Sequence, residues 1–343
     1  MYPILLDYIK HYPHLQPTDL LKFCYQSVFG PGHMAPGRDK AEARIADELA
    51  SAGLPHADQP MVVQLEGEAA RLDIGCGISP MTLAALFCRT ADRWPQKPDG
   101  VSEVLAMLND PAVRAALPFD EAELDACIAA WQEKGCPAVS HSDHYKKYYR
   151  ANYRLVDQKY LPYLEAIRAI EGLHRPAVVA IDGRCGSGKS TMAQVLAEIF
   201  HASLVRMDDF FLPFEQKTPE RLAQPGGNVH YERFNEEVAP NLRGGKEFEY
   251  NVFDCSVGRL NGTQAVEKND LIIVEGSYCQ SPDVRFDYDL RIFVDIDPET
   301  QIARIAKRNP DMIDNFRTRW IPMEEHYFSA RDIQKKADIV VRT

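Results

Sequence analysis

The chain has 343 residues, a length that at roughly 100–200 residues per domain implies two folded units. Its 39 basic and 50 acidic side chains leave a formal charge of −11. That balance excludes a surface gripping nucleic acid by phosphate neutralisation, but not a small anionic ligand that needs only a few local cations. A hydrophobic share of 45% and a charged share of 26% exclude disorder as the main state.

The opening run MYPILLDYIKHYPHL is broken by Asp7 and Lys10, unlike the uninterrupted apolar core of a signal peptide. No 18-residue apolar stretch follows, so no membrane span and no membrane partner are expected. Eight cysteines, at 24, 76, 88, 127, 136, 185, 255 and 279, form no C-x-x-C pair. In a chain of this size they are expected to be reduced thiols, which points to the cytoplasm. Thr18 can cap a helix reaching Phe23, and Arg38–Ala52 has helical spacing. MVVQLEG and AARLDIG then supply two short strands of a hairpin. Ser79-Pro80 caps the helix MTLAALFCRTADRW. Val101–Leu108 and Glu121–Lys134 continue the helical pattern, and His144–Ile170 is expected to be one long helical stretch interrupted at Pro162. The Gly and Pro punctuation of EGLHRP, Glu171–Pro176, marks a linker. Residues 1–170 thus form a mostly helical α+β domain, and residues 171–343 a second domain.

Three features of the first half attract functional readings. Asp73-Ile-Gly-Cys-Gly77 has the look of a methyltransferase glycine loop, but helices follow it where further strands are needed. A hairpin end leading into a capped helix accounts for it better. His33, His141 and His144 are metal-ligand types whose spacing lacks nearby Cys or an HExxH pattern. Tyr145, Tyr149 and Tyr153 sit at helical spacing and read as a core or interdomain face. The first half is free to shape an acceptor site, bind a regulator or mediate homo-oligomerisation.

The second half alternates β-rich runs with helices. AVVAID (Ala177–Asp182), ASLVRMDD (Ala202–Asp209), LIIVEG (Leu271–Gly276), LRIFVDID (Leu290–Asp297) and ADIVV are strand candidates, separated by STMAQVLAEIF and PETQIARIAKRN. The fold class is α/β: a doubly wound parallel sheet. Between the first strand and its helix lies Gly183-Arg-Cys-Gly-Ser-Gly-Lys189-Ser190-Thr191, a match to G-x-x-x-x-G-K-[ST]. Such a loop turns its backbone N–H groups onto phosphate oxygens and sets a helix N-terminus behind them. Gly183, Cys185, Gly186, Ser187, Gly188, Lys189, Ser190 and Thr191 would cradle a nucleoside triphosphate, with Lys189 on the terminal phosphates and Ser190 on Mg²⁺. Glu275 emerges at the C-terminal sheet edge as a second metal-side carboxylate. Asp208 and Asp209 return to that edge after one helix and one strand, where a carboxylate can act as general base on an acceptor hydroxyl.

From about Ala177 to Val341 the chain resembles the uridine kinase branch of phosphate-loop kinases, related to phosphoribulokinase and pantothenate kinase. The blocks IDGRCGSGKST, RMDDFFLP, IIVEGSY and LRIFVDIDPETQIARIAKRN carry the likeness, with weaker support from GGNVHYERFN and YNVFDCS. The resemblance implies a P-loop NTPase fold, ATP and Mg²⁺ as cofactors, and a small hydroxyl compound as acceptor. By the same likeness Asp208 is the catalytic base and Glu275 an organiser of the metal. Phe211, Tyr250 and the loop position of His230 lie on the substrate side. Arg304, Lys307, Arg308, Arg317 and Arg319 match a basic lid. The chain departs from uridine kinases near His230, where they place an Asp, near Cys255, where they place a His, and in a lid without their dense arginine run. Those departures put ribose and uracil recognition in question and keep pantothenate-like or sugar-like alcohols open as acceptors. No N-K-x-D box or LSGGQ-like signature is present, so GTPase and ABC-type readings fall away. A nucleotide-sensing regulatory module is the remaining rival.

Overall fold

The computed structural model describes residues 1–31, 37–51, 60–244 and 246–343, and many of its helices begin where the sequence supplies prolines or polar caps. Helices α1 (Pro3–His11) and α2 (Pro17–Phe29) start at prolines, and α2 carries a capping box between Gln16 and Asp19. After α3 (Arg38–Ser51) come strands β1 (Val62–Gln64) and β2 (Ala69–Asp73). The Ser79 hydroxyl accepts the Thr82 N–H and opens α4 (Pro80–Arg93). Helix α5 (Gly100–Leu108) follows, and Asp110, Asp120 and Ser142 then cap α6 (Pro111–Ala115), α7 (Glu121–Glu133) and α8 (Asp143–Tyr148). The chain divides into two compact units, Met1–Leu161 and Pro162–Thr343.

The expected helix across 144–170 is corrected by the structure. After α8 the chain extends into β3 (Tyr153–Asp157), which pairs antiparallel with β2. The physical reason is the second edge of β2: all five of its residues are buried, and a buried edge without a ladder would leave backbone polar groups unsatisfied. The resulting sheet runs β1-β2-β3, with Val63, Arg71 and Leu155 in register. The tyrosine stripe therefore splits. Tyr145 and Tyr149 lie on α8 and its C-cap, 4.9 Å apart by ring centroids, whereas Tyr153 begins β3. All three pack into the core of this unit.

The candidate metal histidines are placed otherwise. His141 is buried between the Asp19 carboxylate (2.9 Å) and the Tyr153 hydroxyl (2.8 Å), and burial lowers its pKa so that the ring stays neutral. His144 lies beside Tyr148, 4.9 Å between rings, and His33 falls outside the described residues. The Asp73 run ends a strand: its carboxylate takes Gly75 N–H at 2.7 Å and pairs with Arg150 at 3.1 Å.

The second unit opens with α9 (Leu164–Glu171), which packs against the sheet described next. The order is β4 (Ala177–Gly183), α10 (Lys189–Phe200), β5 (Ser203–Arg206), α11 (Pro219–Leu222), α12 (Tyr231–Glu237), β6 (Phe248–Asp254), β7 (Arg259–Val266), β8 (Leu271–Glu275) and β9 (Leu290–Asp295). Then come α13 (Pro298–Arg308), the single turn α14 (Ile313–Asn315), α15 (Ile321–Arg331), α16 (Ile333–Lys336) and β10 (Ile339–Arg342). Five parallel strands run β10-β9-β4-β8-β5, with β4 and β8 wholly buried as their unbroken apolar runs require. This is the doubly wound α/β architecture of a P-loop NTPase. The β6–β7 hairpin has no counterpart among the expected strands. Seven of the eight residues of β7 are exposed, so its sequence carries no apolar alternation to announce it. All eight cysteines are free, and among the described residues no helix is long and apolar enough to cross a membrane.

Leu155 is nearly fully buried beside β2. Leu155→Ala is expected to cost about 2–4 kcal/mol, read as a lowered urea midpoint for the first unit. A solvent-facing helix at this position would give almost no change.

Candidate functional site

The site grows out of the end of β4. Gly183 has φ of 140°, and a Cβ there would meet the Val294 carbonyl oxygen at 2.1 Å, so β9 approaches too closely for any side chain. Gly188 takes the left-handed conformation that opens α10. The loop between them is held from three sides. Asp182, fully buried, accepts the N–H groups of Gly183 (2.7 Å), Tyr278 (3.1 Å) and Gln280 (3.1 Å) and the Tyr327 hydroxyl (2.9 Å). Glu324 of α15 accepts the Cys185 N–H at 2.8 Å and the Ser277 hydroxyl at 2.7 Å. Gln301 of α13 donates to the Cys185 carbonyl at 2.9 Å. Arg184 pairs with Glu325, at 2.6 Å, and with Asp295.

Lys189 is buried, and its ammonium donates to the Gly183 and Arg184 carbonyls at 2.7 and 3.0 Å. Ser190 and Thr191, on the first turn of α10, are exposed. The Ser190 hydroxyl donates to Glu275 at 3.2 Å. Ser187 is buried, its carbonyl accepting from Thr343, which in turn takes a bond from Arg304. Gly186 lies under Ile305, 3.2 Å from where a Cβ would be.

Glu275 ends β8, paired in register with Arg206 of β5. Asp208 follows on a short turn over Met207–Phe210, its carboxylate 3.5 Å from where a Cβ of Gly276 would lie. Asp208 opens to solvent on one side, while the protein crowding the others pushes its pKa up against the pull of Lys189, Arg308 and Arg206. Burial also raises Glu275, and the charge of Asp208 adds to it. Two carboxylates, the Ser190 hydroxyl and Lys189 thus converge at one sheet edge, and the charge of Arg308, at the end of α13, acts on Asp208. Ser190 and the carboxylates are hard-oxygen donors and fit Mg²⁺, which usually takes one or two carboxylates and completes its shell with phosphate and water. Among the described residues no group of three acidic, His or Cys side chains could hold a metal ion.

Other predicted site residues make contacts of their own around this cluster. Tyr250 is buried, its hydroxyl donating to Asp209 at 2.9 Å. His230 is the N-cap of α12, its Nδ1 accepting the Arg233 N–H at 3.2 Å. Phe211 is half-buried in a bridge to Val229. Arg304 reaches Thr343 (3.1 Å), while Arg317 and Arg319 stand exposed on a π-helical turn over Phe316–Trp320. Sequence reasoning passed over Arg233, whose guanidinium lies 4.1 Å from the Phe210 ring and donates to the Asp209 and Asn251 carbonyls, fixing the Asp208 turn. It also passed over Asp182, although the carboxylate ending AVVAID immediately before the loop was visible.

Comparison with known proteins places the second half in context. No family model matches the chain. Over 151 residues it is 30% identical to the uridine kinase of Clostridium botulinum (strain Okra / Type B1), covering 40% of this chain and 70% of that protein. It is 28% identical over 181 residues to the uridine kinase of Chlamydia pneumoniae, covering 48% of this chain and 80% of that protein. A possible uridine kinase from Bacillus stearothermophilus aligns with a TM-score of 0.40 at 20% identity, covering 53% of this chain and 96% of that structure.

Burial raises the Asp182 pKa from its ordinary 3.8 to about 6, against the pull of its hydrogen bonds and Lys189. The folded chain therefore binds this proton more tightly than the unfolded chain does. The resulting stabilisation is full below about pH 4 and is lost as pH rises through about 6. Asp182→Asn is expected to flatten that part of the stability profile, measured by urea unfolding from pH 4 to 7.

Proposed function

This chain belongs to the uridine kinase family through its second half, and on that premise we propose that it transfers the γ-phosphoryl group of ATP to a hydroxyl of a small, nucleoside-like acceptor. The family makes it a small-molecule kinase. The observation that carries the finer reading is the convergence of Lys189, Ser190, Glu275 and Asp208 at one sheet edge.

In this reading the loop amides and Lys189 receive the β- and γ-phosphates. Ser190 and Glu275 would hold Mg²⁺, which when bound neutralises charge on the phosphates. Asp208 accepts the proton of the acceptor hydroxyl as that oxygen attacks phosphorus. Arg308, whose charge already acts on Asp208, meets the negative charge spreading over the transferred group. Arg233 keeps the Asp208 turn in place through backbone carbonyls rather than touching the acceptor. The eight free thiols support a cytoplasmic setting.

A second acceptor class has its own support. His230 is spent on capping α12, and Cys255 stands exposed beyond β6, so neither supplies the carboxylate or imidazole of the uridine kinase pattern. Pantothenate-like or sugar-like alcohols fit that departure. Mg²⁺- and ATP-dependent ADP release should therefore be measured across nucleosides, sugars and pantothenate-like alcohols, with Lys189→Ala as blank. Stimulation by one compound names the acceptor class; ATP binding with no stimulation by any of them overturns the nucleoside-like, sugar-like and pantothenate-like acceptors and leaves an acceptor outside these classes or a nucleotide-sensing module.

Asp208→Asn is expected to keep ATP binding while turnover falls about 10²–10⁴-fold. Because protein crowding raises the Asp208 and Glu275 carboxyls, kcat should fall with decreasing pH along a limb centred above the ordinary carboxylate range. A limb below pH 4 would remove Asp208 as base.

A further inference from the structure

The first unit buries positive charge that its own residues do not neutralise. Arg71, at the centre of β2, is 2% exposed and faces α1 and α2. Its Nε donates to Gln26 at 2.9 Å and its Nη1 to the Tyr8 hydroxyl at 2.9 Å. The rings of Tyr8, Phe23 and Tyr153 surround the guanidinium at 5.0 to 5.6 Å. No carboxylate pairs with it among the described residues, and Nη2 has no partner at all. Lys22 adds a second cation, 8% exposed and donating to the Val139 carbonyl at 2.9 Å. Burial, reinforced by the charge of Arg71, pulls its pKa down to about 8.

The nearby acid, Asp19, is already committed. Its Oδ1 takes His141 and the Ser142 N–H, and its Oδ2 takes the Ser142 hydroxyl and the Gln16 N–H, all within 3.1 Å. A buried guanidinium without a counter-ion is costly and is normally paired. Arg71 is thus held by neutral groups, and Asp19, whose charge acts on Lys22, is left facing two cations.

A cleft of about 1180 Å³ runs along α1, the edge of β1 and α8; Tyr8, whose hydroxyl accepts from Arg71, lines it together with Tyr12 and the carboxylate of Asp7. Tyr12 is 5% exposed, and its hydroxyl is likewise without a partner. The Tyr12 ring lies 4.3 Å from that of Tyr8, the phenol to which Arg71 donates, so the two unsatisfied donors belong to one neighbourhood. The cleft wall also carries His14 and Tyr148, stacked at 3.9 Å and 17°, both exposed and offering a flat surface.

We propose that this cleft is a ligand site for a small molecule that joins one oxyanion to a planar ring, the oxyanion taken by Arg71 and Tyr12 and the ring laid on the His14–Tyr148 pair. Neither the kinase chemistry nor any residue of the second unit enters the argument, so the two readings stand or fall separately. An oxyanion supplies acceptors for both orphaned donors and a counter-charge for the guanidinium. The aromatic wall adds contact area for a ring.

Calorimetric titration of the full chain, with saturating MgADP to occupy the phosphate loop, tests this with phenyl phosphate and benzoate against phenol and inorganic phosphate. One of the two ring anions is expected to bind 1:1 at least about tenfold tighter than either of its halves, as one charge-assisted hydrogen bond permits. Phenyl phosphate alone would mark phosphate-bearing ligands, benzoate alone carboxylates. Tyr12→Phe, which removes only a hydroxyl, should weaken binding about three- to tenfold, and Arg71→Gln more. If Arg71→Gln does not fold, Tyr12→Phe decides. Ring anions binding no better than their halves, or with undiminished affinity in Tyr12→Phe, overturn the proposal.

Discussion

The phosphate loop depends on a single buried carboxylate beneath it. Asp182 gathers three backbone N–H groups and one phenol from β4, the chain after β8, and α15. Each of those donors would otherwise be orphaned inside the protein, where an unpaired N–H costs about 1–3 kcal/mol. The same carboxylate fixes the point at which Gly183 passes the Val294 carbonyl. Everything above it inherits that placement: the turn of the loop, the start of α10, and the reach of Lys189. Burial makes the carboxylate reluctant to ionise, and the hydrogen bonds and Lys189 oppose that reluctance. The site's foundation is thus a balance of large opposing effects rather than one strong bond.

Around that foundation the second unit is tied together by residues far apart in the chain. Consecutive glutamates of α15 reach two consecutive loop residues, Glu324 to Cys185 and Glu325 to Arg184. The guanidinium of Arg184 also lies over Phe293 and Phe328 at 5.6 and 5.8 Å. Helix α15 directly follows the turn that bears Arg317 and Arg319. The basic segment is therefore continuous with the helix whose Glu324 and Glu325 bond the phosphate loop.

How much of this was legible in sequence depended on the range of the forces involved. The loop, its flanking strand and helix, and the return of Asp208 and Glu275 to one edge follow from local spacing and sheet topology, and these could be read. Strand β3 could not, because Tyr145, Tyr149 and Tyr153 keep helical spacing while the demand for a strand comes from β2, some eighty residues earlier. The β6–β7 hairpin escaped because its outer strand is polar and solvated. Capping by His230 and the burial of Tyr250 are decided by neighbours no linear pattern reveals: the Arg233 N–H in one case, Asp209 and Arg206 in the other. The uncompensated Arg71 was equally silent, since an arginine inside AARLD looks like any outward-facing residue of a half-buried strand.

The position of Lys189 has a thermodynamic consequence. Its ammonium already bridges two carbonyls of its own loop, so the cradle holds its shape and its positive charge before an anion arrives. On the proposed reading, incoming phosphate oxygens would replace or supplement short hydrogen bonds rather than freeze a wandering chain. Little conformational entropy is left to lose at that moment, and the loop's tightness is set by how its ammonium divides its protons between backbone and ligand.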